Sequence, residues 1–98
     1  MDKQVVSIIP LKHDRGFAAR VDKMADGKSM VMIYNDQGDV IFKDKLTTTR
    51  MGETKYLLRN LDDGKYTLEV YNKGGRDVKT NFIIYYNTNT QRRVVDIM

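Results

Sequence analysis

Apolar and polar residues alternate with period two along most of this 98-residue chain. Gln4–Leu11 (QVVSIIPL) is a β-branched run with the only proline near its end, where an edge strand tolerates it. In Phe17–Val21 (FAARV), Phe17, Ala19 and Val21 share one side. Ser29–Tyr34 (SMVMIY) and Asp39–Lys43 (DVIFK) flank NDQG, whose Gly38 stands where a hairpin turn prefers positive φ. Thr54–Asn60 (TKYLLRN) is the next run. Lys65–Tyr71 (KYTLEVY) and Val78–Tyr86 (VKTNFIIYY) flank a second hairpin loop, NKGGRD, and Arg92–Ile97 (RRVVDI) follows the polar NTNTQ. Turns recur roughly every 8–12 residues, the spacing of a sandwich or barrel. No segment sustains an apolar face at helical spacing, so helix is confined to a turn near His13–Arg15 or around Thr47–Gly52. Leu46–Gly52 (LTTTRMG) lacks a pattern and suits a crossover between two sheets. With no repeat or linker, residues 1–98 are expected to form a single domain.

The stretch LDDGKYTLEV at Leu61–Val70 sharpens the fold class. In Greek-key sandwiches a connection crosses one end of the barrel before a central strand. A tyrosine at the start of that strand buries its ring and bonds its hydroxyl back to the connection. Leu61 would plug the core, Gly64 would supply the bend and Tyr66 would be the corner residue. Tyr66, Leu68 and Val70 then face inward, with Thr67, Glu69 and Tyr71 outward. Phe82 and Ile84 are their inward neighbours, leaving Lys79, Asn81, Ile83 and Tyr85 outside. The expected fold is an all-β, immunoglobulin- or fibronectin III-like antiparallel sandwich of seven or eight strands with a tyrosine corner.

The Met30–Phe42 hairpin departs from this one-sided pattern. One face carries Val31, Ile33 and Ile41; the other carries Met30, Met32, Tyr34, Val40 and Phe42. Both are apolar. Either the outer face is covered by a terminal segment such as Arg92–Met98, or it is an association surface, a role that adaptable methionines and large aromatics suit.

Composition narrows the function. Hydrophobic residues make up 41% of the chain and charged residues 31%, as in a globular protein. The net charge of +4 comes from 17 basic and 13 acidic residues, but the bases are scattered among acids and only Arg92-Arg93 are adjacent. That is a solvated surface and not the clustered patch of a nucleic-acid binder. There is no cysteine, which excludes thiol catalysis and cysteine zinc sites. No apolar run is long enough to span a membrane. Met1 reads either as a native start or as a start placed behind a removed export signal.

Candidate chemistry is sparse, and no catalytic, cofactor-binding or metal-ligating residue is expected. The one histidine, His13 in LKHDRG, sits in a glycine-containing loop without a defined partner. Asp36 and Asp39 faintly resemble part of a calcium loop but lack its full spacing and terminal glutamate; a hairpin turn explains them. Asp62-Asp63 are turn formers before Gly64. Lys73-Gly74-Gly75-Arg76 has no following helix to make it a phosphate cradle. Tyr71, Tyr85 and Tyr86, with Lys79 and Arg76, offer a strip on which sugars or bases would stack.

The runs GKSMVMIYNDQGDVIFKDKL, LLRNLDDGKYTLEVYNKGG and FIIY resemble the C-terminal sorting domains of type IX secretion in Bacteroidetes, and small exported Bacteroidetes proteins with the same pattern. The matching positions are Tyr34, Gly38, Val40, Leu61, Gly64, Tyr66, Leu68 and Val70, within Lys28–Tyr86. Fibronectin type III and transthyretin-like modules share the corner. The resemblance implies a sandwich fold and a periplasmic or secreted location, and brings no catalytic residue. The expected function is therefore non-enzymatic: an exported module that binds a protein of the cell envelope, or a second copy of itself, through the Met30, Met32, Tyr34, Val40 and Phe42 face or an exposed strand edge. The alternative is a carbohydrate- or small-ligand-binding module of adhesion type that uses exposed tyrosines.

Overall fold

The computed structural model describes residues 6–11, 16–23, 29–46, 52–59, 61–72 and 77–98. Among the described residues eight strands run β1 (Val6–Pro10), β2 (Phe17–Lys23), β3 (Ser29–Asn35), β4 (Val40–Leu46), β5 (Gly52–Leu58), β6 (Gly64–Asn72), β7 (Val78–Asn87) and β8 (Arg92–Ile97). They form a three-stranded sheet, β1-β2-β5, and a five-stranded sheet, β4-β3-β6-β7-β8. Every pairing is antiparallel. Among the described residues there is no helix. The residues of His13–Arg15, of the Lys73–Arg76 loop and of most of the Leu46–Gly52 crossover lie outside the described set.

The two sheets pack through their alternate residues. The small sheet contributes Ile8, Phe17, Ala19, Val21 and Leu58, and the large sheet Val31, Ile33, Tyr66, Leu68, Val70, Phe82 and Ile84. Complete burial of such an aliphatic or aromatic side chain stabilises by about 1.5–3 kcal/mol each. Tyr66 stacks on Phe82 with ring centroids 5.4 Å apart. Strand β1 is an edge, so Pro10 removes no hydrogen bond that the sheet needs. Gly16, at φ +114°, lets the chain enter β2 against the backbone of β5: a Cβ there would stand 2.5 Å from the Leu58 carbonyl oxygen.

One end of the sandwich is closed by the connection before β6. Leu61 packs on the core, Gly64 takes φ +151°, and the buried Tyr66 donates its hydroxyl to the Asp62 carbonyl at 2.6 Å. A second tether comes from β8. The Arg93 guanidinium lies over the Phe17 ring, 5.5 Å from its centroid. It donates to the Leu61 carbonyl, and its Nε pairs with Asp63 Oδ1 at 2.8 Å. The adjacent arginines are thus divided in role, since Arg93 joins the last strand to the connection and to the small sheet.

Two expectations for the β3–β4 hairpin need correction. The terminal segment Arg92–Met98 does not cover it: β8 pairs with β7, and β6 and β7 separate it from β3. Nor does Phe42 lie with the methionines. Ile33 pairs with Phe42 but Tyr34 pairs with Val40, so Ile41 is an extra residue on β4. This bulge shifts the alternation by one position. Phe42 turns to the core beside Ile33, where its ring meets Tyr56 edge-on at 5.0 Å, and Ile41 is exposed.

Candidate interaction face

The outer face of the large sheet is built from the residues that alternate with the core. On β3 these are Met30, Met32 and Tyr34, all half-buried; opposite them on β4 stand Lys45, Lys43 and Val40. On β6 their partners are Tyr71, Glu69 and Thr67. Val40 is 47% exposed and borders Ile41, also exposed, so an apolar corner is open at the hairpin end of this face. Of the five residues expected there, the structure brings together Met30, Met32, Tyr34 and Val40 and removes Phe42.

Alternation correctly places Glu69 on this outer face, yet it is only 9% exposed. Tyr71 donates to Glu69 Oε1 at 2.7 Å, and the Tyr34 and Tyr71 hydroxyls lie 2.9 Å apart. Tyr71 has one proton, and a carboxylate only accepts, so Tyr34 donates to Tyr71 and Tyr71 to Glu69. The chain of bonds crosses between β3 and β6 beside Met32, whose sulfur is 3.7 Å from the Tyr34 oxygen. It fixes both rings and satisfies a carboxylate that would otherwise be costly to bury. The bonds to Tyr34 and Glu69 push the Tyr71 hydroxyl well above the usual tyrosine range. At neutral pH that hydroxyl stays a donor and offers no base for proton transfer. Sequence reading placed Tyr34, Glu69 and Tyr71 correctly by face, but nothing in a single sequence shows that β3 and β6 are neighbours.

The tyrosine strip is not assembled. Tyr85 shares the outer face with Tyr71, but Val70 pairs with Val78, which sets Tyr71 level with Asp77 and leaves Tyr85 eight residues further along β7, roughly 26 Å away. Tyr86 points to the opposite side, across from Arg93, and is 52% exposed. The Tyr85 hydroxyl donates to Asp96 at 2.7 Å, which raises its pKa. A shallow depression of about 180 Å³ is lined by Asn35, Asp36, Lys65, Thr67, Asn81 and Met98 among others. Its lining is mixed, it is open, and its charged side chains are Asp36 and Lys65.

The carboxylates singled out as a faint calcium loop serve the β3–β4 turn. Asn35 Oδ1 accepts from the backbone N–H groups of Gln37 and Asp39 at 3.0 and 2.9 Å, and its amide donates to Asp39 Oδ2 at 3.3 Å. This is an Asx-type turn. Asp44 accepts from Tyr56 at 2.7 Å across the open side of the sandwich; burial, and then that bond, push the Tyr56 pKa up. No group of three or more metal-ligating side chains occurs among the described residues. Compared with protein-family models and with curated proteins, the chain matches none.

Proposed function

We propose that the chain is an exported, non-enzymatic binding module of immunoglobulin- or fibronectin III-like type, its Tyr66 a tyrosine corner, and that it binds a protein of the cell envelope through the outer face at β3 and β4. One observation carries the binding reading. The inward rows of the large sheet already form a complete core, with Val31, Ile33, Leu68, Val70, Phe82 and Ile84 all essentially without solvent contact. The second apolar row, Met30, Met32, Tyr34 and Val40, is surplus to that core and lies on the other side of the sheet. Two bonded tyrosine hydroxyls hold the rings in place beside it. A fixed aromatic beside adaptable methionines and an exposed valine is the composition of an interface centre.

The corner reading is supported by the bond from Tyr66 to Asp62, four residues upstream, and by Leu61 and Gly64 at the adjacent bend. The export reading is supported by the resemblance of the Lys28–Tyr86 pattern to sorting-domain sandwiches. The carbohydrate alternative gains nothing from tyrosines that face different ways, of which Tyr71 and Tyr85 have their hydroxyls already bonded.

A photo-crosslinking side chain placed at Val40, and separately at the exposed Leu57 of the small sheet, tests the binding reading in the source organism. Adducts of defined mass at Val40, lost when Tyr34→Lys is added, are the expected result. Equal labelling at both positions, or none at Val40, overturns it. Cell fractionation tests export, with retention in the cytoplasm as the adverse result.

A further inference from the structure

The sheets expose four edge strands, and three carry devices that oppose pairing with another chain. β1 is short and contains Pro10. β4 has a bulge and the outward Lys43 and Lys45. β5 has Lys55 at its centre. β8 has neither proline, lysine nor bulge; its charges are Arg92 and Asp96 on the outer face and the inward Arg93, which is taken up by Leu61, Asp63 and Phe17, and its register against β7 runs unbroken over six pairs. No described strand pairs with its outer side, although β1 of the small sheet lies beside it.

We propose that this edge recognises a second copy of the chain. Two β8 strands pair antiparallel about a dyad at Val94 and close two Arg92–Asp96 ion pairs between copies. The inference stands on β8 alone and does not rest on the β3–β4 face.

The register follows from hydrogen-bond direction. Met98 donates its N–H to the Asn81 carbonyl at 2.8 Å. By alternation Asp96, Val94 and Arg92 also direct their backbone groups to β7, while Arg93, Val95 and Ile97 direct theirs to the open side. With Val94 facing Val94, each Arg93 stands opposite a Val95 and the two exchange both backbone bonds. Arg92 then stands opposite Asp96, in the non-hydrogen-bonded positions where side chains approach most closely. The charges are already placed for this. Arg92 and Asp96 lie on the outer face with Val94, are exposed, and make no ion pair among the described residues. Asp96 is held by Tyr85. The neighbouring symmetric registers are worse: a dyad at Arg93 sets two guanidinium groups face to face, and a dyad at Val95 puts Asp96 opposite Val94. Only the Val94 register pairs opposite charges. It would join two five-stranded sheets into one of ten strands (five from each copy). An edge contact of this kind is smaller than a standard stable interface, so the dimer is a reversible one, formed in the micromolar to millimolar range.

Sedimentation velocity of the full chain across that range tests the proposal. The wild type is expected to shift reversibly from 11.4 kDa toward twice that mass. Arg92→Asp and Asp96→Arg each put like charges across the dyad twice, and each should weaken association about tenfold or more. The double variant reverses both charges together and should return to within about threefold of wild type, a recovery that misfolding cannot produce. Tyr85→Phe, which removes only the bond to Asp96, should leave the dimer in place. A wild type monomeric at the highest concentration overturns the proposal. So do single variants that associate like wild type, or a double variant that fails to recover. A dimer abolished by Val40→Lys and indifferent to the charge reversals also overturns it, and would assign self-association to the β3–β4 face.

Discussion

At the scale of single residues, the bend before β6 separates backbone from side-chain contributions. Tyr66→Phe removes one hydroxyl, whose acceptor is the backbone carbonyl of the exposed Asp62. The expected loss is about 1 kcal/mol in urea unfolding. Tyr66→Ala also removes the ring stacked on Phe82 and should cost about 3 kcal/mol or more. Equal losses for the two would show that the ring is not a core element. The glycines make a similar contrast. An added Cβ at Gly64 meets nothing within 4 Å, so Gly64→Ala carries only the strain of φ +151°, about 1–3 kcal/mol. At Gly16 the same carbon would lie 2.5 Å from the Leu58 oxygen and 2.8 Å from the Arg59 Cα, both backbone atoms of the facing segment. Gly16→Ala should therefore have the lower unfolding midpoint; the reverse order would mean that the backbone at Gly16 can move aside. Residues of this kind were legible in the sequence to different degrees. Tyr66, Leu68 and Val70 were read as inward because alternation is a local signal. Gly16 announced only a loop, because its requirement is set by a strand some forty positions away.

At the scale of elements, the strands were readable and their neighbours were not. The eight runs read as strands lie within three positions of the observed strand ends. The bulge in β4 was hidden because Val40-Ile41-Phe42 are all apolar, and an inserted residue leaves no gap in an apolar run. That is why Phe42 was assigned to the wrong face. The role of Arg93 was also hidden. It depends on β8 lying beside β1 and the connection before β6, a relation of tertiary structure alone. The consequence is testable by hydrogen exchange. Arg93→Ala removes the bonds to Leu61 and Asp63 and the contact with Phe17. It should cost about 1–3 kcal/mol and speed exchange in β8 and around Gly64, leaving β3 unchanged. Arg93→Lys keeps the charge but not the planar fork, and should restore only part of the protection. If exchange in β8 is unaffected by Arg93→Ala, backbone pairing with β7 holds the strand without help from the guanidinium.

At the scale of the whole molecule, tyrosine hydroxyls tie strands to one another and to the connection before β6, and each of the shifted ones moves in the same direction. Tyr56 joins β5 to β4 across the two sheets, and its pKa is raised by burial and then by Asp44. Tyr66 ties β6 to its connection and is raised first by burial. Tyr71 joins β6 to β3 and is raised first by its bond to Tyr34, while Tyr85 joins β7 to β8 and is raised first by Asp96. A hydroxyl whose pKa is higher folded than unfolded binds its proton more tightly in the native state. Its contribution is complete below the ordinary tyrosine value of 10.0 and is lost as pH climbs from there through the folded value. Acidification through the neutral range leaves these contributions untouched, so the fold should be weakened by alkali at these four contacts. Tyr56 isolates the effect, because it is the hydroxyl that bridges the two sheets and burial is its largest cause. The urea midpoint of the wild type should fall between pH 8 and pH 11. Tyr56→Phe should begin lower at pH 8, having lost the bond to Asp44, and then fall by less over the same interval. Lysine titration is common to both chains and cancels in the comparison. Parallel pH profiles for the two would mean that the Tyr56 proton is held no more tightly in the folded chain than in the unfolded one, and that the inter-sheet bond to Asp44 does not couple to stability.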